Sequence, residues 1–323
     1  MEIADLARWT PVRLDFSGPV PAVDWANLSE ERFVEPFFDQ TAARWASGPR
    51  ASQLVRTGLD ALVALDTEPS LEPAGMIFHL SRCGSTLVSR LLGTLPGVVV
   101  LAEPSPLNSL LALEPGRVNQ AALVQIVRLL VRALGRRRHG DERQLVLKCT
   151  SWNIRHSAVL AAAFPETPRI WVQRDPARVL ASLLAERPGW LRLQNWPQQA
   201  KQRFGFDPAA VPAMTRAAFA AQALGSMLEA AAATDPVGRL CIDHAELPDA
   251  VWQRVAPHFG LEVDAAAVAR MTDEARFYSK DVAPQVFSGD IPEHRPVTDE
   301  IREAAERFAQ PGYRALALHP GGG

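Results

Sequence analysis

Arg82, Cys83, Gly84, Ser85 and Thr86 close a short apolar run, Ile77-Phe78-His79-Leu80, and a helical pattern follows at once. A strand that feeds a helix through a tight turn aims backbone N–H groups at whatever occupies the turn. The first N–H groups of a helix lack internal partners, and the helix dipole adds partial positive charge there. Gly84 lets the backbone approach an anion closely. Arg82 brings a permanent charge with a planar donor fork suited to phosphate or sulfate, and Ser85 and Thr86 bring hydroxyl donors. Leu87, Val88, Leu91, Leu92 and Leu95 then form a core-facing stripe that stops at Pro96-Gly97. The stretch is an anion cradle without the Gly-Lys-[Ser/Thr] ending of an ATP-binding loop. An ordinary strand-turn-helix with a glycine turn is the plain alternative.

A second stretch has related chemistry. Residues 169–182 end an apolar run at Gln173-Arg174, with Asp175 placed as an N-cap and Pro176 in the first helical turn. Arg174 therefore falls at the C-terminal end of a strand, where α/β sheets place their ligands. Ser182 lies two helical turns further on. Taken singly, Arg174 reads equally well as half of a salt bridge, and Ser182 as a small residue packed against a sheet.

The elements that must hold these residues alternate. Strands are expected at 76–80, 98–101, 145–148, 169–173 and 239–243, each short and nearly continuously apolar, as in strands buried on both faces. Helices are expected at 117–138, 153–163, 176–186 and 213–233. In the first of these, Leu123, Ile126, Val127, Leu130, Val131 and Leu134 fall on one face. This alternation implies an α/β fold with a parallel central sheet of about five strands flanked by helices. Residues 1–70 read as an arm and short helical pieces broken at Pro36, packed on residues 71–320 and forming no independent domain. Phe33, Phe37, Phe38 and Trp45 are the anchors.

The chain has 323 residues, 47% of them hydrophobic and 22% charged, with a net charge of −2. That balance is ordinary for a globular protein and argues against a general nucleic-acid binder. Cys83, Cys149 and Cys241 are too sparse and too widely spaced for a disulfide framework or a zinc site. No basic leader precedes an apolar core, and no apolar run approaches the ~20 residues of a membrane span. The expectation is a cytoplasmic protein with no membrane span and an oligomeric state that the sequence leaves open.

Together the two anion-binding stretches resemble the PAPS-dependent sulfotransferase family, closer to its bacterial members than to the animal cytosolic group. In that family an Arg/Lys-Ser-Gly-Thr-Thr loop binds the 5′-phosphosulfate. A later Arg-Asp-Pro, with a serine eight residues beyond its arginine, binds the 3′-phosphate. Arg82 to Thr86 match the first, and Arg174-Asp175-Pro176 with Ser182 match the second with its spacing intact. Leu145-Val146-Leu147-Lys148 is similar to a central strand ending in lysine. Leu240-Cys241-Ile242-Asp243 and the Glu246-Leu247 that follow are similar to a later strand, with His258-Phe259-Gly260-Leu261 behind them. The likeness covers about residues 75–320 and implies a P-loop NTPase-like sulfotransferase fold.

The resemblance implies PAPS as donor and PAP as product, with Arg82, Cys83, Gly84, Ser85, Thr86, Leu87, Arg174 and Ser182 holding the nucleotide. It implies transfer of a sulfuryl group to a hydroxyl or amine of a small-molecule acceptor, free or carrier-bound, with no metal required. Arg82 and Lys148 would stabilise charge on the transferring group. Glu103, in an Ala102-Glu103-Pro104 at a strand end, matches a glutamate proposed as the base in some bacterial members; His156 is the second choice for that role, and His79 reads as a satisfied core residue. The departures are Cys83 for the loop serine, Thr150 two places after the lysine where animal members carry a histidine, and no closing Arg-Lys-Gly. Lys280, in Arg276-Phe277-Tyr278-Ser279-Lys280, is the nearest basic substitute.

Two other readings remain open from sequence. One is a P-loop kinase or NTPase, which would lack its β/γ-phosphate lysine; the other is a non-catalytic PAP-binding relative. Arg136-Arg137-Arg138-His139 reads as a solvated helix end, with a docking patch for an acidic partner or an anionic acceptor as the sharper alternative. Trp190, Trp196 and Phe204, in a Pro/Gly-punctuated stretch, suit either core packing or an acceptor lid.

Overall fold

The computed structural model describes residues 3–49, 53–186, 189–234, 239–277 and 295–318. The N-terminal region is more than an arm. Strands β1 (Thr10–Asp15), β2 (Ala22–Ala26) and β3 (Val55–Gly58) form an antiparallel sheet in the order β1-β2-β3. Prolines hid it from pattern reading: Pro11 lies inside β1 at a shift of register, where a bulge removes the need for its N–H. β2 is buried along its whole length, so it shows no alternation either. Its Asp24 is matched by Arg56 at 3.0 Å and Arg13 at 3.4 Å.

The central sheet comprises β4 (Pro73–His79), β5 (Val98–Ala102), β6 (Gln144–Lys148), β7 (Arg169–Gln173) and β8 (Arg239–Asp243), all parallel, in the order β5-β6-β4-β7-β8. These are the five expected strands, shifted by at most three residues at an end. The helices in chain order are α1 (Phe38–Ala46), α2 (Asp60–Ala64), α3 (Ser85–Gly93), α4 (Ser105–Leu111), α5 (Gln120–Leu134), α6 (Ser157–Ala163), α7 (Pro176–Glu186), α8 (Pro197–Phe204), α9 (Arg216–Ala232), α10 (Ala256–His258), α11 (Ala265–Glu274), α12 (Asp299–Phe308) and α13 (Gln310–Leu318). No helix among the described residues is long and apolar enough to cross a membrane.

Strand alternation sorts the core into two layers. Ile77, Val146, Ile170, Val172 and Ile242 pack with Val88, Leu91 and Leu92 of α3. Met76, Phe78, Leu147 and Trp171 point the other way, into a larger cluster with Leu130 of α5 and Phe219, Leu224 and Met227 of α9. That larger cluster also contains Leu14, Val23, Trp25 and Phe38, so the N-terminal sheet and the central sheet share one apolar interior. Burial on both faces is what makes the strands read as unbroken apolar runs.

The basic run after α5 is not a solvated face. Arg136 is buried and donates to the carbonyls of Leu6, Ala7 and Leu65 at 3.3, 3.4 and 2.9 Å. Arg138 lies over the Phe33 ring at 4.2 Å, beside the buried Glu142. Desolvation lowers both guanidinium pKa values to about 10. Of the three arginines only Arg137 is exposed. Carbonyl groups of Leu6, Ala7 and Leu65 supply what solvent would have supplied, which a helix-end pattern cannot reveal.

Candidate active site

The chain leaves β4 on a sharply curled path. Leu80 still pairs with β7, its N–H donating to Val172 at 3.0 Å. Ser81 and Arg82 then take φ values of +55° and +51°, and Gly84 takes +86°, before α3 begins at Ser85. Consecutive left-handed residues turn successive N–H groups into one concavity. Gly84 is the N-cap of α3 and offers no side chain to cap it. Cys83 faces inward; its thiol donates to the Val172 carbonyl at 3.2 Å, and burial pushes its pKa up to about 11. It is a neutral thiol at pH 7, occupied on the sheet side, and brings no side-chain charge to the loop.

Beside the loop, the ends of β5 and β6 bring Glu103 and Lys148 together. The parallel register sets Ala102 opposite Lys148, and the Glu103 N–H donates to the Lys148 carbonyl at 2.7 Å. Glu103 adopts φ +55°, which turns its side chain back toward the strand end. The fully buried Lys148 ammonium donates to Glu103 Oε1 and lies 5.0 Å from the centre of the Phe37 ring. His79 is the third member. Its Nδ1 accepts the Ser81 N–H at 3.1 Å, which leaves the ring proton on Nε2, 3.5 Å from Glu103 Oε1. Nε2 is buried and makes no hydrogen bond.

Burial alone would raise the Glu103 pKa, but Lys148 and His79 outweigh it and hold the carboxyl down at about 2. Desolvation and the nearby Lys148 keep His79 neutral. Glu103 keeps 23% of its side chain exposed, so a ligand can reach it. Asn108 of α4 fixes the backbone here, donating to the Glu103 carbonyl at 3.3 Å and accepting from Thr150 at 2.9 Å. Thr150 thus works in the scaffold of the site.

The second stretch meets the first at Arg82. Its Nε donates to Ser182 Oγ at 2.9 Å, and its Nη2 donates to Glu186. Arg295 joins from the C-terminal segment: Nη1 contacts Ser182 Oγ at 3.3 Å and its carbonyl at 3.1 Å, and Nη2 lies 3.0 Å from Glu186 Oε1. Arg174 is buried immediately after β7. Asp175 accepts the Arg178 N–H at 2.9 Å, the expected cap of α7. A cavity of about 580 Å³ opens alongside, lined by Asp175, Arg178, Arg295 and Arg302 among others. Lys280 lies outside the described residues; Arg276, nearby, is exposed and 3.7 Å from Asp273.

Other candidates fall elsewhere. His156 stacks edge-on with Trp152 at 5.8 Å, and burial with Arg155 and Arg203 lowers its pKa to about 4. Phe204 is buried against Trp190, Phe206 and Phe219, so this stretch packs onto α9, while Trp196 is exposed. Sequence reasoning missed the part of His79, Phe37, Glu186 and Arg295 in the site. For Glu186 a signal existed, since Ser182 and Glu186 stand one helical turn apart. For Arg295 and Phe37 there was none.

No family model matches the chain, and no curated protein matches it. Among solved structures it is similar to sulfotransferase STF9 from Mycobacterium avium, at 13% identity over 91% of this chain and 88% of that one, with a TM-score of 0.46. It is similar to sulfotransferase STF1 from Mycobacterium tuberculosis at 17% identity over 75% and 77%, with a TM-score of 0.44. The sulfotransferase domain from the curacin biosynthetic pathway matches at 14% identity over 77% and 98%, with a TM-score of 0.37.

Proposed function

We propose that this chain is a PAPS-dependent sulfotransferase that moves a sulfuryl group to a hydroxyl or amine of a small-molecule acceptor. One observation carries the reading. The Arg82 loop and the α7 serine, far apart in sequence, close into one anion site at 2.9 Å, with the Lys148–Glu103 pair beside it. The donor set fits a nucleotide with phosphates at two positions: loop N–H groups, Arg82, Ser85, Thr86, Arg174, Ser182 and Arg295 all offer hydrogens or positive charge. PAPS supplies the activated sulfuryl group when it binds. The lysine comes from a neighbouring strand instead of the loop, which favours this reading over a kinase.

The residues divide the work by chemistry. Arg82 and the loop N–H groups face charge that develops on non-bridging and leaving oxygens, where preorganised donors are worth most. Lys148 is a buried point charge at the end of β6, on the Glu103 side of the loop. Glu103 is ionised and accessible, as a group must be to take the acceptor's proton on Oε1. A carboxyl held at about 2 is a weak base while Lys148 is on it. As Lys148 turns toward negative charge on the transferring group, that restraint lifts and the proton affinity of Glu103 rises. His79 Nε2–H, 3.5 Å from Oε1, is then the nearest remaining donor to the carboxylate.

Calorimetric titration with PAP, with and without Mg²⁺, tests the donor assignment. Binding without Mg²⁺ is expected, and binding of Mg-ATP alone would overturn it. Acceptors incubated with PAPS and enzyme are then screened by mass spectrometry for the gain of a sulfuryl group.

A further inference from the structure

Glu186 is the last residue of α7. The carbonyl end of a helix is partly negative and disfavours a carboxylate. Glu186 is stabilised there by cations from outside the helix: its Oε1 accepts from Arg82 and lies 3.0 Å from Arg295 Nη2. One turn earlier on the same face, the buried Ser182 hydroxyl accepts from Arg82 Nε at 2.9 Å and from Arg295 Nη1 at 3.3 Å. Two guanidinium forks therefore converge on one carboxylate oxygen and one hydroxyl. This is the arrangement that grips phosphate oxygens, and here the oxygen that is gripped belongs to the protein. Arg295 also lines the cavity of about 580 Å³, together with Arg178 and Arg302, so an anion has a path to the cluster.

We propose that Glu186 is a built-in competitor for the nucleotide phosphate: its carboxylate holds the site made by Arg82, Ser182 and Arg295, and a phosphate group binds by displacing it. This rests on the reading of the site as a nucleotide-phosphate site. A carboxylate bears one charge and meets both guanidinium groups through a single oxygen, whereas a phosphate monoester bears up to two charges and offers three terminal oxygens. The exchange therefore favours phosphate, and between turnovers the carboxylate offsets one of the two positive charges. A singly charged anion has no charge advantage over Glu186 in that exchange. Arg295 becomes a ligand-binding residue, and Glu186 the residue that sets the affinity of the site.

The test is calorimetric titration of PAP into the wild-type chain, Glu186→Gln and Arg295→Gln, with melting midpoints recorded for each. Glutamine keeps the shape and removes the charge. Glu186→Gln is expected to bind PAP about tenfold more tightly, and Glu186→Ala to shift in the same direction. Arg295→Gln is expected to bind about tenfold more weakly. Affinity in Glu186→Gln equal to or weaker than wild type overturns the proposal, since Glu186 would then be organising the arginines. If none of the chains binds PAP, the donor assignment fails by itself, and inorganic pyrophosphate becomes the probe. Tighter pyrophosphate binding by Glu186→Gln then upholds the competitor, and equal or weaker binding overturns it.

Discussion

Glu103 is a carboxylate whose charge two opposing effects decide. Burial favours its neutral form, while Lys148 and His79 favour the anion and prevail, holding its pKa at about 2 against an ordinary 4.5. A carboxyl with a depressed folded-state pKa contributes stability above its unfolded value, and loses that contribution as pH falls toward the folded one. Denaturant midpoints are therefore expected to drop between about pH 4.5 and pH 2, and Glu103→Gln is expected to flatten that part of the profile. The same substitution is expected to reduce sulfuryl transfer by about 10²–10⁴-fold with PAP affinity retained, the range for loss of a general base. Turnover near wild type would remove Glu103 from the role. The place of Glu103 at the end of β5 was legible in the sequence because a charged residue ending an apolar strand is conspicuous, while its proposed role came from the resemblance. His79 was not, because a histidine inside a strand pattern carries no sign of whether its Nε2 meets carbon or a carboxylate.

Two glycines separate function from packing among the elements. At Gly84 a Cβ would stand 2.5 Å from Leu247 Cδ1 and 2.9 Å from His244 Nδ1, and the φ of +86° strains any other residue. Gly84→Ala is expected to weaken PAP binding at least tenfold, because the loop can no longer hold its N–H groups in one concavity, and to lower stability by about 1–2 kcal/mol. At Gly225, inside α9, a Cβ would stand 2.0 Å from the carbonyl oxygen of Phe308 at the end of α12. Gly225→Ala is expected to cost about 1–3 kcal/mol by overpacking, with PAP affinity unchanged once the protein is folded. Thermal melts beside calorimetric titrations distinguish the two. The strand-turn-helix at β4–α3 and the start of α7 could be read from sequence, because apolar period, glycine and Asp-Pro report local backbone preference directly. The β1–β3 sheet could not, because Pro11 and the wholly buried β2 erase the alternation that marks a half-buried strand.

The whole molecule joins an antiparallel sheet and a parallel sheet through one interior. Trp25 of β2 is fully buried in the cluster that also holds Met76, Phe78 and Trp171 of the central sheet, and its indole donates to Thr57 at 2.9 Å. Trp25→Ala is expected to cost about 3–5 kcal/mol, as large-to-small changes in a packed core do. Fluorescence and circular dichroism are expected to report the same single unfolding transition in denaturant, and two separated transitions would show that the sheets fold independently. The N-terminal region also reaches the site, where Phe37 lies 5.0 Å from the Lys148 ammonium. The sequence by itself determined the five parallel strands, the helices between them and the tight turn before α3, because these follow from the period and backbone preferences of neighbouring residues. Only the tertiary structure decided that Arg136 serves carbonyls of the N-terminal end, that Phe37 closes over Lys148 and that Glu186 occupies the grip of Arg82 and Arg295. Each is a pairing of side chains from distant segments. A charge in a sequence states what it can bind, and only the fold states what stands within reach.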